Sequence, residues 1–340
     1  MAKKARARRC VLLAFLCVGY PSAAALATPD EQIFAAMRTA DLDLAAIGYR
    51  LVTANVGLCD RRAPAFGLVL HTPSQYAPDA RAAVRRFFGF EGSVGVEAVV
   101  PASPAVAADV RADDTILAIG QLRFAPEDPK VPASAAMLAD IDARLAMLAT
   151  DRPVTLEGRR RGDSYTRSII PLPACRTRFE LKVDSGFPAS ADGDMVQIGS
   201  RFLEDYPENM VAAVVAHELA HNILHHREKL AALGISFGVF AGFGRNVRYV
   251  RQTELEADRL SITLLANAGY DPEAAISFWR TFGPSRTGGA LRSRSHPAWQ
   301  DRITALSRAL EEYRQGQVNA RTVGAIRDRP LDGDWQALLR

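Results

Sequence analysis

No apolar stretch in the 340-residue chain comes near the roughly 20 residues that a membrane-spanning helix requires. Internal repeats and low-complexity linkers are missing too. With 48% hydrophobic and 24% charged residues, the composition excludes a disordered tail protein, a collagen-like fibre and a coiled coil. Cysteine is scarce: of four, Cys10 and Cys17 fall in the first segment, which leaves Cys59 and Cys175 as one possible pair. Nor is there an excess of one charge beyond the start. Five bases (Lys3, Lys4, Arg6, Arg8 and Arg9) precede the first acid, Asp30, and from Thr28 onward acids outnumber bases by one. The net charge of +4 therefore belongs to the leader and gives no reason to expect nucleic acid as a partner.

What is present begins with that leader. A basic n-region, an apolar run over residues 10–18 and the small-x-small triplet Ala25-Leu26-Ala27 predict a cleaved signal peptide over 1–27 and a periplasmic or otherwise exported protein. The alternative is an uncleaved signal serving as a membrane anchor. Phe15-Leu16 before Cys17 is too bulky for a lipoprotein signal. Export would put Cys59 and Cys175 in an oxidising compartment.

Apolar positions at helical spacing (Ile33, Met37, Leu44, Ile47, Leu51) predict one or two helices in an N-terminal segment, 28–65, capped by Thr28 or Asp30. From 66 to 174 short Val, Ile and Leu runs broken by Gly, Pro and Asp predict a small β-rich module, with one late helix over 134–149. Strands over 179–183 and 195–198 then lead into helices over 208–233, 250–268, 272–282 and 297–313, within a domain over 175–313. Residues 314–340 read as a polar, Gly/Pro-punctuated tail without an assignable role.

His217-Glu218-Leu219-Ala220-His221 carries the chemistry. On a helix, residues four apart share a face, so both imidazoles can reach one ion with Glu218 beside it. Imidazole suits zinc, and three protein ligands would leave one position for water. A second helical run, Thr253-Glu254-Leu255-Glu256-Ala257-Asp258, puts Glu254 and Asp258 on one face. One carboxylate could ligate the metal while the other accepts an N–H from a ligating histidine. His225 and His226, farther along the first helix, suit surface or packing roles.

These motifs, followed by Ala268-Gly269-Tyr270-Asp271-Pro272 and by Ser295-His296-Pro297 ahead of Arg302-Ile303, resemble the zinc metallopeptidases that include BepA, HtpX and the CAAX prenyl protease. The resemblance covers roughly residues 192–310. It implies one Zn2+ per chain held by His217, His221 and Glu254, with Glu218 as the general base that activates zinc-bound water and Asp258 supporting a ligand histidine. His296 resembles a histidine that in relatives lies near the metal, stabilising the oxyanion or taking the open coordination position. Integral-membrane members have long spans that this chain lacks; its apolar stretch 230–243 is short, contains three glycines and suits a lid or packing element.

Upstream, Phe87-Phe88-Gly89-Phe90, then Pro101-Ala102-Ser103-Pro104-Ala105, then Asp113-Asp114-Thr115-Ile116 resemble a bacterial PDZ domain, with Ala102 and Asp109 where glycine is usual. PDZ domains add a peptide to an open sheet edge, and Phe88, Gly89 and Phe90 could supply the carboxylate nest; the rival for this aromatic cluster is a core or domain-interface role. Cys59 and Cys175 flank this module, and because the ends of a compact domain are often close, a disulfide between them is predicted. The expected fold is α+β: a mostly α-helical zincin-type metallopeptidase domain preceded by a small β-rich PDZ-like domain. The expected function is an exported zinc endopeptidase acting on polypeptides, with misfolded envelope proteins as the substrate class the resemblance implies. The rivals are a peptidase kept latent by a fourth ligand, and a chaperone or scaffold that uses the PDZ-like groove around a structural metal.

Overall fold

The computed structural model describes residues 28–126, 130–235, 246–286 and 296–340. The leader, and most of the apolar stretch read as a lid, lie outside the described residues. Among the described residues no helix is long and apolar enough to cross a membrane.

Helix α1 (Pro29–Ala54) is a single helix. Thr28 caps it: its backbone N–H donates to Glu31 Oε2 (2.8 Å) while its hydroxyl accepts from the Glu31 N–H (3.3 Å), a reciprocal capping box. The two ends of α1 pack on different parts of the chain. Phe34 joins an aromatic cluster with Phe87, Phe88 and Tyr76, whereas Leu44, Ile47, Leu51 and Val52 enter the core of the helical half. Gly48 allows that second contact, since a Cβ there would stand 2.4 Å from the Phe179 ring.

The β-rich module is built on an antiparallel sheet. Strands β2 (Leu68–His71), β3 (Gly95–Val99), β4 (Thr115–Ile119), β6 (Val154–Arg160) and β7 (Asp163–Ile169) lie in that order, and β5 (Leu122–Arg123) pairs with β4. Helix α2 (Arg81–Phe87) sits between β2 and β3, the short α3 (Pro104–Ala107) follows β3, and α4 (Ala136–Leu145) precedes β6. Val96, Ile116, Leu156 and Ile169 from the strands close one core with Ile141 and Leu145 of α4. Ala102 and Asp109, which stand where glycine is usual, both take positive φ (58° and 56°), so the backbone keeps the glycine geometry without the glycine.

Strand β1 (Arg62–Ala65) pairs antiparallel with β8 (Leu172–Cys175), Arg62 opposite Cys175. This ribbon closes the ends of the module on each other and brings Cys59 to Cys175, whose Cα atoms are 5.5 Å apart across a disulfide.

The helical half starts with a three-stranded sheet. Its order is β10 (Ala189–Ala191), β11 (Met195–Gly199), β9 (Arg178–Lys182), with β11 antiparallel to β10 and parallel to β9. After the short α5 (Ser200–Asp205), α6 (Glu208–Ile223) runs through the centre, apolar nearly all round as befits a buried helix. The periodicity predicts one helix over 208–233. The structure breaks it at His225, which takes a left-handed φ of 55°, and α7 (His226–Ala232) leaves in a new direction. Helices α8 (Val247–Asn267), α9 (Glu273–Arg286) and α10 (Trp299–Arg314) complete the layer. The tail is folded as well. Helix α11 (Ala320–Asp328) buries Val323 in the main core, and Leu331 packs with Leu230 and Ile235.

Candidate metal centre

Helix α6 supplies His217, Glu218 and His221, and α8, packed across it, supplies Glu254 and Asp258. The Nε2 atoms of His217 and His221 are 3.1 Å apart. Glu254 Oε2 lies 3.5 Å from His217 Nε2, and Glu254 Oε1 lies 3.6 Å from His221 Nε2. Four-coordinate zinc with bonds of about 2.0–2.2 Å has ligand-to-ligand edges of roughly 3.3–3.6 Å. The three donors thus fit one face of such a polyhedron, and two imidazoles with one carboxylate are a donor set that suits it.

Around these donors the charges are paired. Asp258 Oδ1 stands 3.0 Å from His217 Nδ1. Arg302, on α10, donates from Nε and an η nitrogen to the two Asp258 oxygens, both at 2.7 Å, and its other η nitrogen lies 3.2 Å from Glu254 Oε2. The Trp279 ring covers the guanidinium at 3.9 Å. Burial pushes the Glu218 carboxyl up to about 7, with Glu254 adding to the rise and His217 opposing it. Burial and the Arg302 charge disfavour protonated His217, yet its bonds to Asp258 and Glu254 hold it up at about 9. A bound cation would supply that positive charge in place of the proton.

A cleft of about 620 Å³ opens over these groups. Phe187, Phe278, Trp279 and Phe282 give it an aromatic wall, and edge strand β10 forms another side. His296 is at the mouth: its side chain is half exposed and its Nε2 lies 3.9 Å from Glu254 Oε1.

The sequence assigns Arg302 and Glu256 no site role, and His226 only a surface or packing one. Arg302 falls on the buried stripe of α10 with Ala305, Leu306 and Ala309, and a charge on an apolar stripe is a legible anomaly. Of the surface and packing roles, His226 takes the buried one; its Nδ1 is 3.0 Å from His221 Nδ1, and its Nε2 is 3.1 Å from Glu256 Oε2. Glu256, between the two carboxylates singled out, is buried as well.

The proposed carboxylate nest needs correction. Phe88 and Phe90 are buried against His71, Phe34 and Tyr76, and their backbone N–H groups donate to Val84 and Arg85 carbonyls at the end of α2. Gly89, at φ 64°, is the left-handed residue that ends this helix. The cluster is core, and Phe88 and Phe90 have spent their donors within the chain.

Residues 244–310 match the profile of peptidase family M48. That span is similar to the M48 peptidases over about a fifth of the chain. The matched span holds Glu254, Asp258, His296 and Arg302; the two histidines of α6 precede it. The mitochondrial metalloendopeptidase OMA1 of Schizosaccharomyces pombe (strain 972 / ATCC 24843) is 32% identical over 126 residues, which cover 31% of this chain and 37% of that protein. The chain therefore spans well under half of that relative. Among solved structures, the HtrA3 PDZ domain bound to a phage-derived ligand (FGRWV) aligns with 33% of this chain and 88% of its own, at 17% identity and a TM-score of 0.25.

Proposed function

We propose that this protein is an exported zinc endopeptidase of the M48 type that hydrolyses peptide bonds in polypeptide substrates. The observation that carries the reading is the convergence of His217, His221 and Glu254, with ligand atoms all within 4.8 Å of one another, beside the carboxyl of Glu218 in an open cleft. Zinc in such a site supplies Lewis acidity toward a peptide carbonyl and a lowered pKa for water. Glu218 takes the proton of the attacking water and returns it to the leaving amine. Asp258, clamped by Arg302, holds His217 in the tautomer that leaves Nε2 free for the metal. His296 at the mouth is placed to meet the oxyanion. A purely structural metal would want four protein ligands and no adjacent base, so the donor set favours hydrolysis over a scaffold role.

The basic, apolar and small-residue order of the leader supports export, as does the Cys59–Cys175 disulfide, which suits an oxidising compartment. The element order from β2 to β7 supports a PDZ-like module, and edge strand β2 is where an added peptide strand would pair. Misfolded envelope proteins are the proposed substrate class. Metal analysis and casein degradation by wild type and Glu218→Gln test the reading. The expected result is one zinc in each and cleavage by wild type alone; equal cleavage by both would overturn it. N-terminal sequencing of the exported form should begin at Thr28.

A further inference from the structure

Two histidines of the metal site need their protons fixed, and among the described residues only His217 has a carboxylate directly behind it. Its Nδ1 meets Asp258, and Asp258 is neutralised by Arg302. His221 has no carboxylate at Nδ1 but the second histidine, His226, at 3.0 Å. The Nε2 of His221 faces His217 and Glu254, so it is the nitrogen left for a metal. His221 then carries its proton on Nδ1 and donates it to His226 Nδ1. That makes His226 the Nε2–H tautomer, and Nε2 stands 3.1 Å from Glu256 Oε2, an acceptor. The relay is self-consistent at every atom and ends, like that of His217, on a buried carboxylate.

Glu256 is in turn held from the C-terminal segment. Gln252 Nε2 donates to Glu256 Oε1 (2.9 Å), and Gln252 Oε1 accepts the backbone N–H of Gly333 (2.7 Å). Arg329 reaches Glu256 Oε1 at 3.6 Å. Lys229 of α7 donates to the Ile326 carbonyl at 2.8 Å, and Leu331 packs on Leu230 of the same helix. The left-handed turn at His225 brings α7, and His226 with it, into this arrangement.

We infer that residues 326–333 are a latch on the metal site: they fix Glu256, which fixes His226, a positioning residue that sets the tautomer and orientation of His221. The inference rests on the metal-site part of the proposed function. Outer-sphere partners of ligand histidines typically contribute about 10–100-fold in metal affinity. Zinc affinity of the full chain, measured by competition with a chromogenic chelator, and the unfolding midpoint of the metal-free protein are the two readouts. His226→Phe should weaken zinc binding by about 10–100-fold, and His226→Asn should recover part of it, because its Oδ1 offers an acceptor near the lost Nδ1. Arg329→Ala, at a half-exposed side chain, should weaken binding severalfold with an unchanged metal-free midpoint. Wild-type zinc affinity in Arg329→Ala and Glu256→Gln overturns the latch, including where His226→Phe does not fold. These affinities do not depend on catalysis. If wild type binds zinc yet cleaves no casein, the peptidase reading falls and the latch is still judged by the affinities.

Discussion

Glu218 and Glu254 face one cleft from two helices, and substitution should separate their roles. Glu254→Ala removes a donor that lies 3.5 and 3.6 Å from the histidine nitrogens, so zinc affinity should fall by more than the roughly 10–100-fold that outer-sphere losses cost. Glu218→Gln leaves all three donors in place and should keep zinc while losing hydrolysis; the check is zinc titration of both variants beside casein cleavage. A second residue-scale prediction concerns Ala102, exposed and held at φ 58°. A left-handed backbone costs a non-glycine residue about 1–2 kcal/mol, and glycine adds about 0.5–1 kcal/mol of unfolded-state entropy. Ala102→Gly should therefore stabilise the protein by up to about 1 kcal/mol, read from a urea unfolding midpoint; a lower midpoint would refute it. The HExxH spacing and the Glu254/Asp258 face could be read in advance because each is a local repeat along one helix. The Arg302 and His226 contacts reach 30 to 44 residues to Glu256 and Asp258, or depend on a left-handed turn, and no local pattern records them.

Among the elements, α1 forms an unusual contact with the sheet. Beneath it lie His71 of β2 and Glu97 of β3, both buried, with His71 Nε2 and Glu97 Oε1 without a hydrogen-bond partner among the described residues, while Arg38 and Asp41 face them from α1 and Tyr76 from the turn after β2. Burial pushes the Glu97 carboxyl up to about 8, with Asp41 adding to the rise and Arg38 opposing it. Burial lifts Asp41 itself to about 6. Below about pH 6 both groups are neutral in the fold, and between about 6 and 8 Glu97 alone stays neutral beside an ionised Asp41. As pH rises past the ordinary carboxylate range, the unfolded chain gives up these protons while the folded chain keeps them, so stability falls with pH until the folded groups ionise, near 8 for Glu97. Glu97→Gln, an amide of the same shape as the neutral acid, should flatten the decline in unfolding temperature between pH 5 and 8 and leave the variant the more stable at pH 8. Parallel curves for wild type and variant would show that Glu97 is not the group responsible. Here the sequence was silent: Glu97 alternates with apolar neighbours along a strand and reads as an outward-facing residue until α1 covers it.

At the scale of the molecule, the sheet module is held to the helical half by α1, whose ends enter separate cores, by the Arg178–Asp142 ion pair, and by the β1–β8 ribbon, whose ends the Cys59–Cys175 bond fixes in the core of the helical half. The α+β class, the order of most elements and the pairing of these cysteines were legible, because periodicity, turn residues and closeness of domain ends are properties of short segments or of the chain as a whole. The packing of the tail was not, since a polar segment punctuated by Gly and Pro buries only Val323 and Leu331 and shows no stripe. The disulfide closes a loop with a sequence separation of 116, which in the chain-entropy model stabilises the fold by about 4–5 kcal/mol. Replacing both cysteines with serine should lower the urea midpoint accordingly. Both sulfurs lie against the Asn55 carbonyl at the end of α1 and make no contact with the metal donors, so zinc affinity of the folded variant should stay at the wild-type value. That pairing of results tells a global restraint from a local one. A variant with the wild-type midpoint would show that α1 and the ribbon already hold the two halves together, and a variant that loses zinc while still folded would show that the restraint reaches the α6–α8 crossing where the donors meet.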